Sequence, residues 1–435
     1  MIQLLTSENS QGTMSYFKFK FLFSLFFISA FSNAQFSTEE LAPMPVRVAN
    51  NAVVSAKNGT KVYSFAGIDS TKLYSGIHLK SFMYDVGLNT WTTLPDLPDT
   101  LGKIAAGASE VKDRIYIIGG YHVFANHNEI SSNKVHVYNT LTDSYEADAA
   151  PIPVPIDDHV QDVWRDSLIF VVTGWSNNGN VADVQIFNPA LNTWEAGTSV
   201  PNHIDYKVFG ATGKIIGDTI YYYGGVNGGF SFNARNYMRK GVINPNNPTE
   251  ITWTKEEDAP ELAGYRCASF AYENSLLVVG GAGVAYNYDG IAYNGSGGVS
   301  PLDRILKYDT RLMSYNSYSS LPEVMDFRGE GRLSANSFVT CGGMEAGQEV
   351  TNRVVKYTID EAQFANIEEQ ELEYEIIAGE ILSAPKANNI SILSVEGKLL
   401  DQVNTNKYSL NKLKRGFYLI QLNGVNSRSI IKLSR

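Results

Sequence analysis

The stretch DRIYIIGGYH, residues 113–122, runs an alternating apolar segment, Ile115-Tyr116-Ile117-Ile118, directly into Gly119 and Gly120. Glycine weakens a strand, because it has no side chain to pack and loses the most backbone freedom on ordering. A pair of glycines at the end of a good strand therefore marks a sharp backbone turn where another segment comes close. The pattern recurs. It is present as KVYSFAG (61–67), RIYIIGG (114–120), LIFVVTG (168–174), TIYYYGG (219–225), LLVVGG (276–281) and FVTCGG (338–343). The step from one to the next is about 50 to 60 residues, which defines a repeat architecture rather than a chance motif. The second glycine is present in all six, whereas Ala66 and Thr173 replace the first in two of them. The second position is thus the stricter one.

A second signal follows the glycines. An aromatic closes a polar turn and a proline lies seven residues on: Trp91 to Pro98, Trp194 to Pro201, Trp253 to Pro260 and Tyr315 to Pro322. The second repeat is looser, with Tyr145 ahead of Pro151 and Pro153. A further strand precedes each aromatic, as in KSFMYD (80–85), KVHVYN (134–139), DVQIFN (183–188) and RILKYD (304–309).

Strand, double glycine, Tyr-Asp and Trp at this period resemble the kelch repeat. The resemblance covers about residues 36 to 359 and implies a β-propeller of four-stranded antiparallel blades. The last repeat has VVKYTI (354–359) but no aromatic-to-proline segment. The segment FSTEELAPMP supplies one, with Phe36 seven residues before Pro43. The expectation is an all-β chain with a six-bladed propeller over 36–359, its last blade completed by the N-terminal strand. Such closure leaves no unfinished blade with an open edge. The outer-strand aromatic is expected to pack over the glycine pair.

Composition agrees. Aromatics are 12% of the 435 residues, charged residues only 18%, and there are 37 Gly, a strand- and turn-rich balance. A net charge of -10 argues against nucleic-acid binding, which needs a basic surface. Two cysteines, Cys267 and Cys341, form no zinc-type spacing and no disulfide framework. No metal or cofactor is expected.

The chain begins with the features of an export signal. Lys18 and Lys20 precede FLFSLFFISAF (21–31), an apolar run of signal-peptide length, and Ser32-Asn33-Ala34 offers small residues for cleavage before Gln35. Residues 1–34 are read as this signal, with Met14 as a possible true start. No transmembrane segment is expected after its removal. Residues 360–374 are acidic and read as a linker. Residues 375–435 alternate apolar and polar, like a small β-sandwich. Gly397-Lys398, Leu413, Gly416-Phe417-Tyr418 and Lys432 resemble the C-terminal sorting domain of type IX secretion. That resemblance implies passage through the type IX machinery and a secreted or cell-surface location. The usual Pro-Asn-Pro opening is missing.

With the strands of an antiparallel blade lettered a to d from the central channel outward, the b–c loops and the connections into strand a share one face. Loops 121–133, 226–240 and 282–303 are long there, and long loops in compact folds tend to carry function. The connections into strand a each bring a cationic or potentially cationic residue: Arg47, Lys103, His159, Lys207, Arg266 and Arg328. Asp157, Asp158, Asp162, Asp205, Asp326 and Glu330 stand beside them. A basic ring at a channel mouth suits an anionic or polyhydroxyl ligand, or simply bonds neighbouring carbonyls. Phe230, Phe232, Tyr237, Tyr286, Tyr288 and Tyr293 in the loops could stack on sugar rings or pack on neighbouring blades.

The leading reading is a secreted or surface-attached propeller that binds a glycan or an extracellular protein through its long-loop face. The blade count and export signal are also similar to the sialic-acid mutarotase family. That resemblance implies ring opening of an acidic sugar, with Arg266 or Arg328 on the carboxylate and Glu330 or Asp326 moving the proton. In this alternative Arg266, Glu330 and Asp326 are catalytic; in either reading Arg47, Lys103, His159, Lys207, Arg328, Tyr286 and Tyr288 are expected to bind ligand. Galactose oxidase shares the architecture, but its copper site needs two His, two Tyr and a Tyr–Cys crosslink, a set these six histidines do not supply.

Overall fold

The computed structural model describes residues 36–228, 232–260, 262–320, 322–360, 375–377, 381–385, 387–394, 399–414, 416–423 and 428–434. The leader, most of the acidic linker, Phe230 and Gly397-Lys398 lie outside them. Among the described residues the chain is all-β apart from three single-turn 3-10 segments, and no helix is long and apolar enough to cross a membrane.

Six antiparallel blades surround one axis. The first is typical, with strands Ala52–Ala56, Lys61–Ile68, Ile77–Asp85 and Thr90–Leu94 from the axis outward. The innermost strands of the next five are Ile104–Val111, Val160–Trp164, Phe209–Ile216, Ala268–Tyr272 and Arg328–Arg332. The N-terminal strand Phe36–Glu40 forms the outer edge of blade six, antiparallel to Val354–Ile359, with Phe36 opposite Ile359 and Glu40 opposite Val355. The innermost strands of blades six and one also pair, in parallel, from Ala52 opposite Arg328 to Val54 opposite Glu330. The closure is therefore hydrogen-bonded at both its outer and inner ends.

Each blade interface has its own apolar cluster. Between blades one and two, Tyr63, Phe65 and Leu97 meet Ile115, Ile117 and Tyr138. Between blades three and four, Phe170, Ile186 and Val200 meet Ile220, Tyr222 and Ile251. Full burial of such side chains contributes about 1.5–3 kcal/mol each.

The glycine pair has two separate duties. Gly119 and Gly120 both adopt left-handed backbone, with φ of 67° and 84°. A Cβ on Gly119 would collide with the Ile156 carbonyl of the next blade, and one on Gly120 would lie 2.7 Å from Ile104 O of its own inner strand. The Gly120 N–H donates to Ile156 O at 2.9 Å. Gly225, Gly281, Gly343 and Gly67 make the same bond to Gly264, Val324, Val48 and Lys103 of their following blades. In blade three Thr173 takes over. Its single hydroxyl proton is shared between Val181 O and Val208 O, at 2.8 and 3.1 Å, and its oxygen accepts from the Val208 N–H.

The outer aromatic does not cover the glycines. Trp91, Tyr145, Trp194 and Tyr315 lie opposite Tyr84, Tyr138, Phe187 and Tyr308 of the adjacent strand, at centroid distances of 5.2, 5.0, 4.9 and 4.9 Å. Blade four has Gly241 in that place, and Trp253 lies against it. The polar end of each reaches the preceding blade. Trp91, Trp194 and Trp253 Nε1 donate to the carbonyls of Ala42, Ala150 and Thr198, each at 2.8 Å. The aromatic is thus a tie between blades rather than a lid on the turn.

The C-terminal part forms two small sheets, one of Glu375–Ile377, Ile381–Ser383 and Lys407–Ser409, the other of Leu399–Val403, Asn389–Leu393, Phe417–Asn423 and Arg428–Ser434. Leu382 and Tyr408 of the first share a core with Ile390, Ile392, Ile420 and Leu422 of the second, as in a sandwich.

Candidate functional site

Where the chain enters each inner strand, one residue turns left-handed: Asn50, Ala105, Asp158, Gly210, Arg266 and Asp326, with φ between 48° and 70°. Five of these six are not glycine, a cost of about 1 kcal/mol each. The strain is repaid by a closed belt of backbone hydrogen bonds around the axis. Asn50 N–H donates to Asp326 O, Ala105 to Asn50 O, Asp158 to Ala105 O, Gly210 to Asp158 O and Arg266 to Gly210 O, over 2.7–3.4 Å. The sixth bond shifts by one residue, from Phe327 N–H to Arg266 O at 3.0 Å. The belt divides the axis into a part under the long loops and a part facing the short turns.

Above the belt the side chains form a buried ionic floor. Arg266 donates to Asp158 Oδ2 at 2.6 Å and Asp326 Oδ1 at 3.0 Å. Asn50 and Tyr286 also donate to Asp326 Oδ1, at 3.2 and 3.4 Å. Arg328 lies 3.5 Å from Asp158 Oδ1 and donates to His159 O at 2.6 Å. Asp157 accepts from Ser131 Oγ at 2.6 Å. Among the described residues Asp326 Oδ2 and Tyr265 OH are buried with no partner.

Desolvation dominates the titration of this floor. It lifts the Asp157 carboxyl well above the carboxylate range, with the Asp158 charge adding to the effect. It lifts Asp326 to about 6 against the pull of Arg266. It also raises Glu129, again opposed by Arg266. Glu129 is itself solvent-exposed, so it stands at a concave rim above the floor. Tyr293, 37% exposed, stands there too, its ring 4.8 Å from Phe232.

The six sequence-selected cations do not form a ring. The equivalent axial positions are those of the belt, and Arg47, Lys103, His159, Lys207 and Arg328 lie one to three residues away from them. Arg47 donates to Val350 O at 3.0 Å. Lys103 is buried between blades one and two, 2.8 Å from Asp99 and 3.3 Å from Ser132 Oγ. Lys207 is half-buried beside His203, whose carbonyl accepts its backbone N–H. Arg266 and Asp326 do meet, and Arg328 and His159 adjoin them. Glu330 lies four residues further along its strand, on the other side of the belt, paired with Lys214 at 2.6 Å.

Most of the loop aromatics pack inward. Tyr286 is fully buried against Tyr265, and Tyr288 is buried with its hydroxyl 3.5 Å from His127 Nδ1. Phe232 packs on Trp175 and Phe209. Tyr237 is covered by Arg235, Arg239 and Lys255. Of this group, Tyr293 keeps an exposed ring.

Sequence reading missed Asn50, Tyr121, Glu129 and Tyr265 above the belt and Ser109, Gln161, Thr212 and Lys214 below it. A signal existed for the second group: polar side chains interrupt inner strands that are otherwise apolar or small. No set of three His, Cys, Asp or Glu is placed to hold a metal among the described residues. Cys267 and Cys341 are both buried, free thiols.

Comparison with known proteins agrees with this architecture. The model of the Kelch motif matches residues 105–147, which is blade two. A Kelch-like protein, terF, of Aspergillus terreus is 29% identical over 160 residues, 36% of this chain. The match spans 34% of that relative's length. The solved structure of YjhT superposes with a TM-score of 0.61 at 17% identity, covering 74% of this chain and 97% of that one. The fold of residues 36–359 is a kelch β-propeller.

Proposed function

We propose that this chain is an exported kelch propeller that binds a sugar on the floor above the belt. One observation carries the reading: two buried arginines and several desolvated carboxyls converge beneath the long loops, with Glu129 and Tyr293 at the rim. Carboxyl, guanidinium and phenol groups are the donors and acceptors that sugar hydroxyls require, and the Tyr293 ring supplies a stacking face. Both arginines are already paired with aspartates, which favours an uncharged sugar. An extracellular protein carrying such a glycan is a natural partner.

The second reading is a mutarotase acting on an acidic sugar such as N-acetylneuraminate. Ring opening needs one group to give a proton to the ring oxygen and another to take the anomeric proton. Asp326, lifted to about 6, suits the group that takes the proton, and Asp157, whose carboxyl burial raises well above the carboxylate range, suits the group that gives it. Glu330 has no part in this version, because it faces the opposite compartment.

Exchange NMR on the full chain tests both. Saturable binding of a neutral sugar, weakened about tenfold by Glu129→Gln or Tyr293→Ala, supports the first reading. Faster anomer exchange of N-acetylneuraminate, lost in Asp326→Asn, supports the second. No binding and no faster exchange would discard both. The leader at 1–34 and the tail at 375–435 are proposed to take the protein out of the cell through the type IX machinery. A secreted form whose N-terminus begins elsewhere than Gln35 would refute the assigned leader.

A further inference from the structure

The geometry points to a second binding site, below the belt, for a small uncharged polyhydroxyl compound. Inner strands of all six blades line a cavity of about 320 Å³ there. It runs from Phe327 and Arg328 beside the belt to Ile215, Ala271 and Arg332 beside the short turns.

In the deep part of this cavity the charges are already matched, while Glu110 and Arg332 stand at its short-turn mouth. Lys214 Nζ lies 2.6 Å from Glu330 and 3.7 Å from Asp162, and Asp162 also accepts the Ile215 N–H at 2.6 Å. Arg328 faces Asp158. A ligand with net charge would enter without a counter-charge, at a desolvation cost that nothing offsets. What the walls do offer is hydroxyl and amide valence. Ser109 Oγ accepts from Gln161 Nε2 at 2.9 Å and keeps its own proton free to donate. Thr212 and Ser269 form a further hydroxyl pair at 2.6 Å.

Two buried groups on the wall lack partners among the described residues: His159 Nδ1 and Arg328 Nε, on side chains 2% and 8% exposed. The His159 Nε2 contact with Gln161 Oε1, at 2.9 Å, assigns the imidazole proton to Nε2, since an amide oxygen only accepts. Nδ1 is then a bare acceptor. Burial, helped by Arg328, lowers the His159 pKa to about 4 and keeps the ring neutral. Arg328 Nε–H is a bare donor on a neighbouring side chain, since Arg328 Nη2 already donates to His159 O. A hydroxyl group both donates and accepts, so its chemistry suits either orphan, whereas a carboxylate or an ammonium suits only one of the two kinds. Gly107 keeps room for the pair, because a Cβ there would strike Gln161 Oε1 and lie 2.7 Å from His159 Nε2.

Titration calorimetry of the full chain with myo-inositol and glycerol, and acetate as the charged control, tests this. Saturable binding of myo-inositol is expected, weakened at least tenfold in Gln161→Leu and in His159→Phe, with acetate giving no heat. Gln161→Leu alone decides the matter if His159→Phe does not fold. The site is overturned if neither polyol binds, if acetate binds more tightly, or if folded Gln161→Leu binds as wild type does. Binding lost in Glu129→Gln but kept in Gln161→Leu assigns the heat to the floor above the belt and equally overturns it. The two sites share only Arg328 and His159, so failure of one leaves the other standing.

Discussion

Thr173 shows how a single residue can replace a backbone device. Where other blades use a glycine N–H to hold the next blade, its hydroxyl makes three bonds, two of them to Val208. Thr173→Val should leave the Val208 N–H and carbonyl unpaired in a buried place and cost about 2 kcal/mol. Thermal melts beside wild type check this; a change within error would mean that another group serves Val208. Gly119→Ala should cost more, about 3 kcal/mol, because the new Cβ meets the Ile156 carbonyl and φ stays left-handed. The pattern was legible because its second position takes one residue type in all six repeats, where a Cβ such as one on Gly120 would crowd the inner strand of its own blade. The belt was not. It is built from Asn50, Ala105, Asp158, Gly210, Arg266 and Asp326; Asn, Asp and Gly tolerate left-handed backbone in any turn, and Ala105 and Arg266 carry no hint of it. What they share is a conformation imposed by the ring, and sequence pattern does not record it.

Among elements, the closing strand matters most. Its existence followed from the spacing of Phe36 and Pro43, but its register did not. In four of the five other blades the outer aromatic opposes an aromatic neighbour, whereas here Thr38 faces Tyr357 and Phe36 lies two residues away, its ring 5.2 Å from Tyr318 of blade five. Removing residues 36–40 should expose the Val354–Ile359 edge and lower the melting temperature by on the order of 10 °C, with association visible by light scattering. An unchanged melt would show that the parallel pairing of Ala52–Ala56 with Arg328–Arg332 suffices. The loops teach a different lesson. A long loop needs a core of its own, and Tyr286, Tyr288 and Phe232 supply it. An aromatic loop that packs and one that presents its rings have the same composition, so only the fold distinguishes Tyr293 from the rest.

For the whole molecule, the blade count was readable because six repeats were compared with one another, and the two compartments of the axis were not, because they depend on all six at once. The net charge of -10 is felt at the short-turn mouth of the channel, where Glu110 lies near Asp113 and Asp166. Burial first, then those two carboxylates, raise its pKa from 4.5 to about 7. A carboxyl raised in the folded state binds its proton more tightly there than in the unfolded chain. Its ionisation therefore withdraws stability as pH climbs from about 4.5 to about 7, and no more beyond. Glu110→Gln should melt higher than wild type at pH 8, with the gap shrinking steadily below pH 7. A gap independent of pH would mean that Glu110 titrates normally.

The register of the closing strand also sets how the molecule answers to force. Phe36 pairs with Ile359, so the chain enters and leaves the ring at the same end of one two-stranded ladder. Tension between the chain before Phe36 and the chain after Ile359 loads the hydrogen bonds there one after another, as a zipper, rather than all together in shear. Blade six is the mechanically weakest place in the ring, and a pull on both ends opens it first. The packed interfaces of the other five blades stay out of the load path.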